Sequence, residues 1–154
     1  MATTIKLAAY LTSVTVLASE LNSLANGSVS GLTGSGTGTI LDNTSNLSLY
    51  ADFELDVTFG SAPTLGNTIG LYMATSLDGT NYEIMPAAGT TAPQNSKLVG
   101  SFVLESTGTT QRIHIWRVPL TPGKMEFQAL NSAGVAFPAS GSTIVCYPYS
   151  LQSV

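Results

Sequence analysis

The stretch from Leu47 to Phe59, LSLYADFELDVTF, alternates without a break. Leu47, Leu49, Ala51, Phe53, Leu55, Val57 and Phe59 fall on one side, and Ser48, Tyr50, Asp52, Glu54, Asp56 and Thr58 on the other. Successive side chains of a strand point to opposite faces, so a period of two held this long means a strand with one buried and one exposed face. Such a strand needs partner strands at its edges and a second layer over its apolar side.

The chain supplies them. TIGLYMATS (68–76), KLVGSFVLE (97–105), QRIHIWRVPL (111–120), KMEFQAL (124–130) and STIVCYPYS (142–150) are short, apolar or alternating, and β-branched or aromatic. Asp78-Gly79, Pro122-Gly123 and the NSAG at 131–134 supply turn chemistry between them. Tyr82 and Ile84 in LDGTNYEIM are expected on a strand that follows the Asp78-Gly79 turn. Turn signals at roughly 8–12-residue spacing are the pattern of a sandwich or barrel. The expectation is all-β: an antiparallel β-sandwich of about eight strands, with a jelly roll as its specific form. The 154 residues suit one domain, large enough to bury roughly two-thirds of its unfolded surface.

The opening segment, MATTIKLAAYLTSVTVLASELNSLANG, is harder to place. A secretory signal has an uninterrupted apolar centre, and Thr12, Ser13 and Thr15 break this one. A membrane span needs about 20 mostly apolar residues, and no run in the chain reaches that. Leu7, Leu11, Val14, Leu17, Leu21 and Leu24 fit a helical stripe, and Ile5, Leu7, Ala9 and Leu11 fit strand alternation equally well. The β-branched cluster at 12–16 argues against helix there. Ser19 as N-cap, Glu20 in the first turn and Asn26-Gly27 as a stop predict a short helix from Ser19 to Ala25. The reading is an extended N-terminal arm to about Leu17, with Ile5, Leu7, Leu11, Val14, Val16 and Leu17 as its assembly interface. An ordinary first strand of the core is the other reading. GSVSGLTGSGTG (27–38) reads as a flexible connection. It is followed by no Gly-Lys-Ser/Thr, so it is not a phosphate loop. The expected division is therefore 1–38, arm, helix and connection, and 39–154, sandwich.

Charge narrows the function. Asp, Glu, Lys and Arg make up 9% of the chain, against about 25% in an ordinary domain. A surface this bare fits a protein covered in an assembly, although secreted Ser/Thr-rich β domains share the composition. Net charge is −4, with only Lys6, Lys97, Lys124, Arg112 and Arg117 as cations. No basic patch follows, and direct nucleic-acid binding is not expected. Cys146, the one cysteine, reads as a buried small hydrophobe and cannot form an intrachain disulfide. That fits assembly in a reducing cytoplasm.

No catalytic motif appears. His114 is the only histidine, no Gly-x-Ser-x-Gly is present, and no His/Cys cluster has metal-ligand spacing. Asp52, Glu54 and Asp56 read as a solvated strand face. Arg112, His114 and Trp116 share one side of their strand. With Tyr82 they form a candidate glycan patch, since aromatic faces and Arg suit sugars. A packed or interface role is the plainer reading of these residues.

YADFELDVTFGSAPTLGNTIGLYMATSLDGTNYE, LVGSFVLESTGTTQRIHI, VPLTPGKMEFQALNSAGVAFPASG and the C-terminal YPYS, with VLASELNSLANGS near the start, resemble the capsid cement, or decoration, proteins of tailed bacteriophages. The resemblance covers most of the chain and rests on turns and strand patterns. It implies a jelly-roll body on the outside of an icosahedral head, clamping neighbouring major capsid subunits, as a dimer or trimer. It implies no enzymatic activity and no cofactor, with no membrane or direct nucleic-acid partner. The location it implies is the virion surface, after assembly in the host cytoplasm. Two alternatives stay open: a glycan- or receptor-binding module of a phage tail, since TSLDGTNYE also resembles a hairpin of sugar-binding jelly rolls, and a tail or baseplate component.

Overall fold

The structure, a computed structural model, describes residues 5–89 and 97–153. In chain order its strands are β1 (Ile5–Leu7), β2 (Val14–Leu17), β3 (Leu41–Asp42), β4 (Tyr50–Thr58), β5 (Thr68–Ser76), β6 (Leu98–Val103), β7 (Thr110–Pro119), β8 (Lys124–Ser132), β9 (Thr143–Tyr149) and β10 (Leu151–Ser153). Eight of them make two antiparallel four-stranded sheets, in the orders β2-β9-β4-β7 and β3-β8-β5-β6. β1 and β10 form a separate two-stranded ribbon. The expected all-β sandwich is what the chain adopts.

The winding is regular. Among the eight sandwich strands the first pairs with the eighth, the second with the seventh, the third with the sixth and the fourth with the fifth. Two further pairings, β4 with β9 and β5 with β8, complete the sheets.

The alternation of β4 places Ala51, Phe53, Leu55 and Val57 in the core, as its period requires. Phe53 meets Phe127 of the opposite sheet with ring centroids 5.2 Å apart. Leu55, Ile69, Leu71, Phe102, Met125 and Ile144 fill the space around them and are fully buried. Each such side chain stabilises the fold by roughly 1.5–3 kcal/mol.

The N-terminal segment is not a free arm. Val16 and Leu17 are fully buried in the protein's own core, and Val14 packs against it. β2 is the edge strand beside β9, with Val14 opposite Cys146 and Leu17 opposite Ile144. Those three residues are therefore committed within the fold, and the first-strand reading holds for them. Leu11 stays exposed. Ile5 and Leu7 pair through their backbones with Ser153 and Leu151; their side chains, and Met1–Thr4 of the expected arm, lie outside the described residues.

The expected helix from Ser19 to Ala25 is one 3-10 turn, Ser19–Leu21. No side chain caps it. Its polar groups are used elsewhere: Ser19 Oγ accepts the Thr37 N–H at 2.8 Å, and the Glu20 carboxylate accepts the N–H groups of Ala18 (2.9 Å), Gly36 (3.0 Å) and Gly38 (2.9 Å). Burial opposes the Glu20 charge, yet these amides together hold its carboxyl below the ordinary value.

The 27–38 stretch is likewise not a loose connection. Val29 bridges to Leu130, and the Thr33 N–H donates to Phe127 O at 2.9 Å. Thr33 Oγ1 donates to Val16 O at 2.8 Å. Gly38 serves close approach, since a Cβ there would overlap the Val16 carbonyl oxygen. The chain around residue 38 is thus continuous with the sandwich body, not a boundary. Tyr82 and Ile84 are not on a strand either; they belong to an irregular connection between β5 and β6.

Candidate functional site

The two outer faces of the sandwich differ. The β3-β8-β5-β6 sheet is partly covered by its own connections: Gln128 is fully buried, donating through Nε2 to Ser30 O (2.7 Å) and Pro86 O (3.0 Å). The outer face of the β2-β9-β4-β7 sheet collects most of the chemistry-bearing side chains.

The three carboxylates of β4 point outward there because their neighbours point inward. Each has a partner across the strand pair. Asp56 lies opposite Arg112 and takes Nη2 at 2.5 Å. Glu54 lies opposite His114, with Oε2 2.9 Å from Nε2, and accepts the Tyr147 hydroxyl on Oε1 at 3.5 Å. Asp52 accepts the main-chain N–H of Arg117 on Oδ1 at 2.7 Å and the Tyr10 hydroxyl on Oδ2. The expectation of a solvated acidic face is corrected: Asp52 is only 6% exposed, because Tyr10 and the β7 backbone close over it.

A β-bulge creates that site. Ala51 faces Val118 and Phe53 faces Ile115, so Asp52 alone opposes Trp116 and Arg117. Arg117 sits at φ +60°, a left-handed conformation that costs a non-glycine residue roughly 1–3 kcal/mol. The bond from its N–H to a carboxylate offsets part of that cost. The extra residue puts both Trp116 and Arg117 on the outside.

Rings line the same face. The His114 and Trp116 planes stack, with centroids 4.8 Å apart and an angle of 24°. The Arg117 guanidinium lies 5.8 Å from the Tyr50 centroid, and Tyr50 stacks on Tyr149 at 5.9 Å. Tyr10 stands edge-on to Tyr149 at 5.5 Å and to Tyr147 at 5.9 Å. The bond to Asp52 pushes the Tyr10 phenol up to about 12. Burial, then the nearby carboxylates, also raises Tyr147 and Tyr149. Arg112 is raised by its bond to Asp56. Beneath the face, burial pushes the Cys146 thiol up to about 12, as befits a packed small hydrophobe.

The structure brings Arg112, His114 and Trp116 together, as expected, but not Tyr82. That side chain lies over the outer side of the other sheet, where burial and then Glu126, Asp42 and Asp78 raise its phenol. It lines a depression of about 440 Å³ with Thr75, Leu77, Asp78, Asn81 and Glu83. Asp78 there accepts the N–H groups of Thr80 (2.9 Å) and Asn81 (2.8 Å), the Asn81 amide and the Ser76 hydroxyl. The Asn81 backbone bond leads these in holding Asp78 well below the carboxylate range. Every polar contact of Asp78 is thus spent on shaping its turn.

The sequence reading placed Tyr50 beside the carboxylates of β4 but missed Tyr10, Tyr147, Tyr149 and Arg117 as members of the face. One signal was present: the inward phase runs Ile113, Ile115 and then Val118, a slip of one residue that marks the bulge.

Among the described residues no group of three or more His, Cys, Asp or Glu side chains is placed to hold a metal ion, and no helix is long and apolar enough to cross a membrane. Compared with known protein families, curated proteins and solved structures, the chain matches none.

Proposed function

We propose that this protein is a structural component of a bacteriophage virion, a jelly roll that sits on the outer surface of the capsid and clamps neighbouring major capsid subunits. The observation that supports it best is the winding. Eight strands paired first with eighth through fourth with fifth, in two four-stranded sheets, support the jelly-roll body that the resemblance implies. Further support comes from the surface. Charge is sparse, and large apolar side chains stand out from the loops, above all Leu77 (85% exposed) and Ile84 (94% exposed) on the β5–β6 connection. Contacts of that kind, each modest, hold a protein on a shell when several are made at once.

Val16 and Leu17 are spent on the protein's own core, so the clamp works through connections such as β5–β6. The partners are the major capsid protein and further copies of this chain, and the place of action is the capsid surface. The test is co-sedimentation of the purified protein with undecorated phage heads, with copy number read by quantitative mass spectrometry. Saturable binding at a stoichiometry set by the capsid lattice, lost in the double variant Leu77→Asp, Ile84→Asp, is the expected result. Binding of a few copies per particle points to a tail or baseplate position, and absence of binding overturns the reading.

A further inference from the structure

We infer that the outer face of the β2-β9-β4-β7 sheet around Trp116 is a binding site for a neutral, hydroxyl-rich saccharide. Trp116 is 64% exposed, while His114 stacks against one face of its indole. The exposure therefore falls on the other face and the ring edges. A sugar ring has an apolar C–H side and a rim of hydroxyls. A flat aromatic surface takes the first, and fixed donors and acceptors beside it take the second.

Those donors and acceptors are present and held in place. The His114–Glu54 and Arg112–Asp56 pairs lie on alternate rungs of the β4–β7 ladder, along the face that carries the indole, with His114 against the ring. Each carboxylate has about four lone-pair positions and each guanidinium five N–H donors, so every member keeps capacity for a ligand hydroxyl. The couples also select the ligand's charge. Arg112 is already matched by Asp56, and Glu54 already faces His114 and Tyr147. The face as a whole carries Asp52, Glu54 and Asp56 against Arg112 and Arg117, so it offers an anion no net counter-charge, and a neutral hydroxyl needs none. The surroundings also speak against a protein partner at this place. The buried centre of a protein interface is depleted of charge, and this indole shares its face with Glu54, Asp56, Arg112 and Arg117. The large aliphatic side chains Leu77 and Ile84 stand out elsewhere, on the β5–β6 connection.

The bulge makes the site possible. Without the extra residue opposite Asp52, Trp116 and Arg117 would not both face outward.

Trp116 is the only tryptophan, so intrinsic fluorescence reports this site alone. The full chain is titrated with maltotetraose, cellotetraose, tetra-N-acetylchitotetraose and lacto-N-tetraose, and with the acidic probe sialyllactose. A saturable fluorescence change with at least one neutral probe is expected, with protection from iodide quenching and little dependence on salt. In calorimetry Trp116→Ala should weaken that binding at least tenfold, and Arg112→Ala severalfold, with thermal melting of both variants close to the parent. Head co-sedimentation should survive Trp116→Ala, which separates this site from the capsid reading. Three results overturn the inference: no probe saturates, only sialyllactose binds, or Trp116→Ala leaves sugar binding intact. Loss of head binding in Trp116→Ala without any sugar binding likewise overturns it and assigns the face to a protein partner.

Discussion

Asp52 Oδ1 lies 2.7 Å from the main-chain nitrogen of Arg117, a residue held at φ +60°. A carboxylate on one strand thus holds open a bulge on the next. Its second oxygen takes the Tyr10 hydroxyl and ties down the segment between β1 and β2. Asp52→Ala leaves the bulge N–H without its acceptor and should cost about 1–3 kcal/mol, whereas Tyr10→Phe removes one bond and should cost about 0.5–1.5 kcal/mol. Urea unfolding of both variants checks the order. Equal losses would mean that the Arg117 bond contributes nothing.

The same phenol sets an alkaline limit. The Tyr10 value is raised from 10.0 to about 12 in the fold, chiefly by the bond to Asp52. A raised value means that the folded state holds the proton more tightly than the unfolded chain. Its stabilisation is therefore complete below about pH 10 and lost as pH rises towards about 12. Absorbance titration of phenolate should show a late-titrating group that is absent from Tyr10→Phe. Stability should fall less steeply across that window in the variant.

Leu17 tests whether the N-terminal strand belongs to the core. It is fully buried beside Ile144, so Leu17→Ala should destabilise by about 2–5 kcal/mol. A segment waiting for an outside partner would lose almost nothing. Thermal or urea melting of the isolated protein distinguishes the two.

Gly38 and Gly60 form a matched pair. A Cβ at Gly38 would overlap Val16 O and crowd Glu20 Oε1, while one at Gly60 meets nothing. Gly38→Ala should cost about 1–3 kcal/mol, as overpacking does. Gly60→Ala should cost nothing. Melting temperatures of the two variants against the parent read the difference.

Much of the sandwich was legible because its strands alternate. β4, β5, β7, β8 and β9 were all visible as half-buried runs, and the turns at Gly79, Gly123 and Gly134 have the positive φ their sequences imply. The N-terminal strand was not, since the helical stripe of Leu7 to Leu24 overlaps the strand alternation of Ile5 to Leu11 and only tertiary packing chooses. The glycine-rich stretch misled for a related reason. Small residues mean freedom in an unpacked chain but close approach in a packed one, and only the position of Glu20 and Val16 tells which. The helix failed because Ser19 and Glu20 give their oxygens to amides on the 36–38 segment instead of a local cap. Of the site, Arg112, His114 and Trp116 were readable from one strand. The tyrosines come from distant parts of the chain, and Tyr82 was grouped with the others by residue type alone.

The position of β9 has a kinetic consequence. It lies between β2 and β4, yet it is made after every other sandwich strand. Until residues 143–149 leave the ribosome, β2 and β4 face each other across a missing neighbour with their hydrogen-bonding edges open. Most contacts that close the sandwich join segments far apart in the chain, the arrangement associated with folding in milliseconds to seconds rather than microseconds. The nascent chain therefore cannot finish one half of its body in advance. The decisive step of folding waits for β9, and a chain interrupted before Thr143 carries two unsatisfied strand edges with which other copies of the chain can pair.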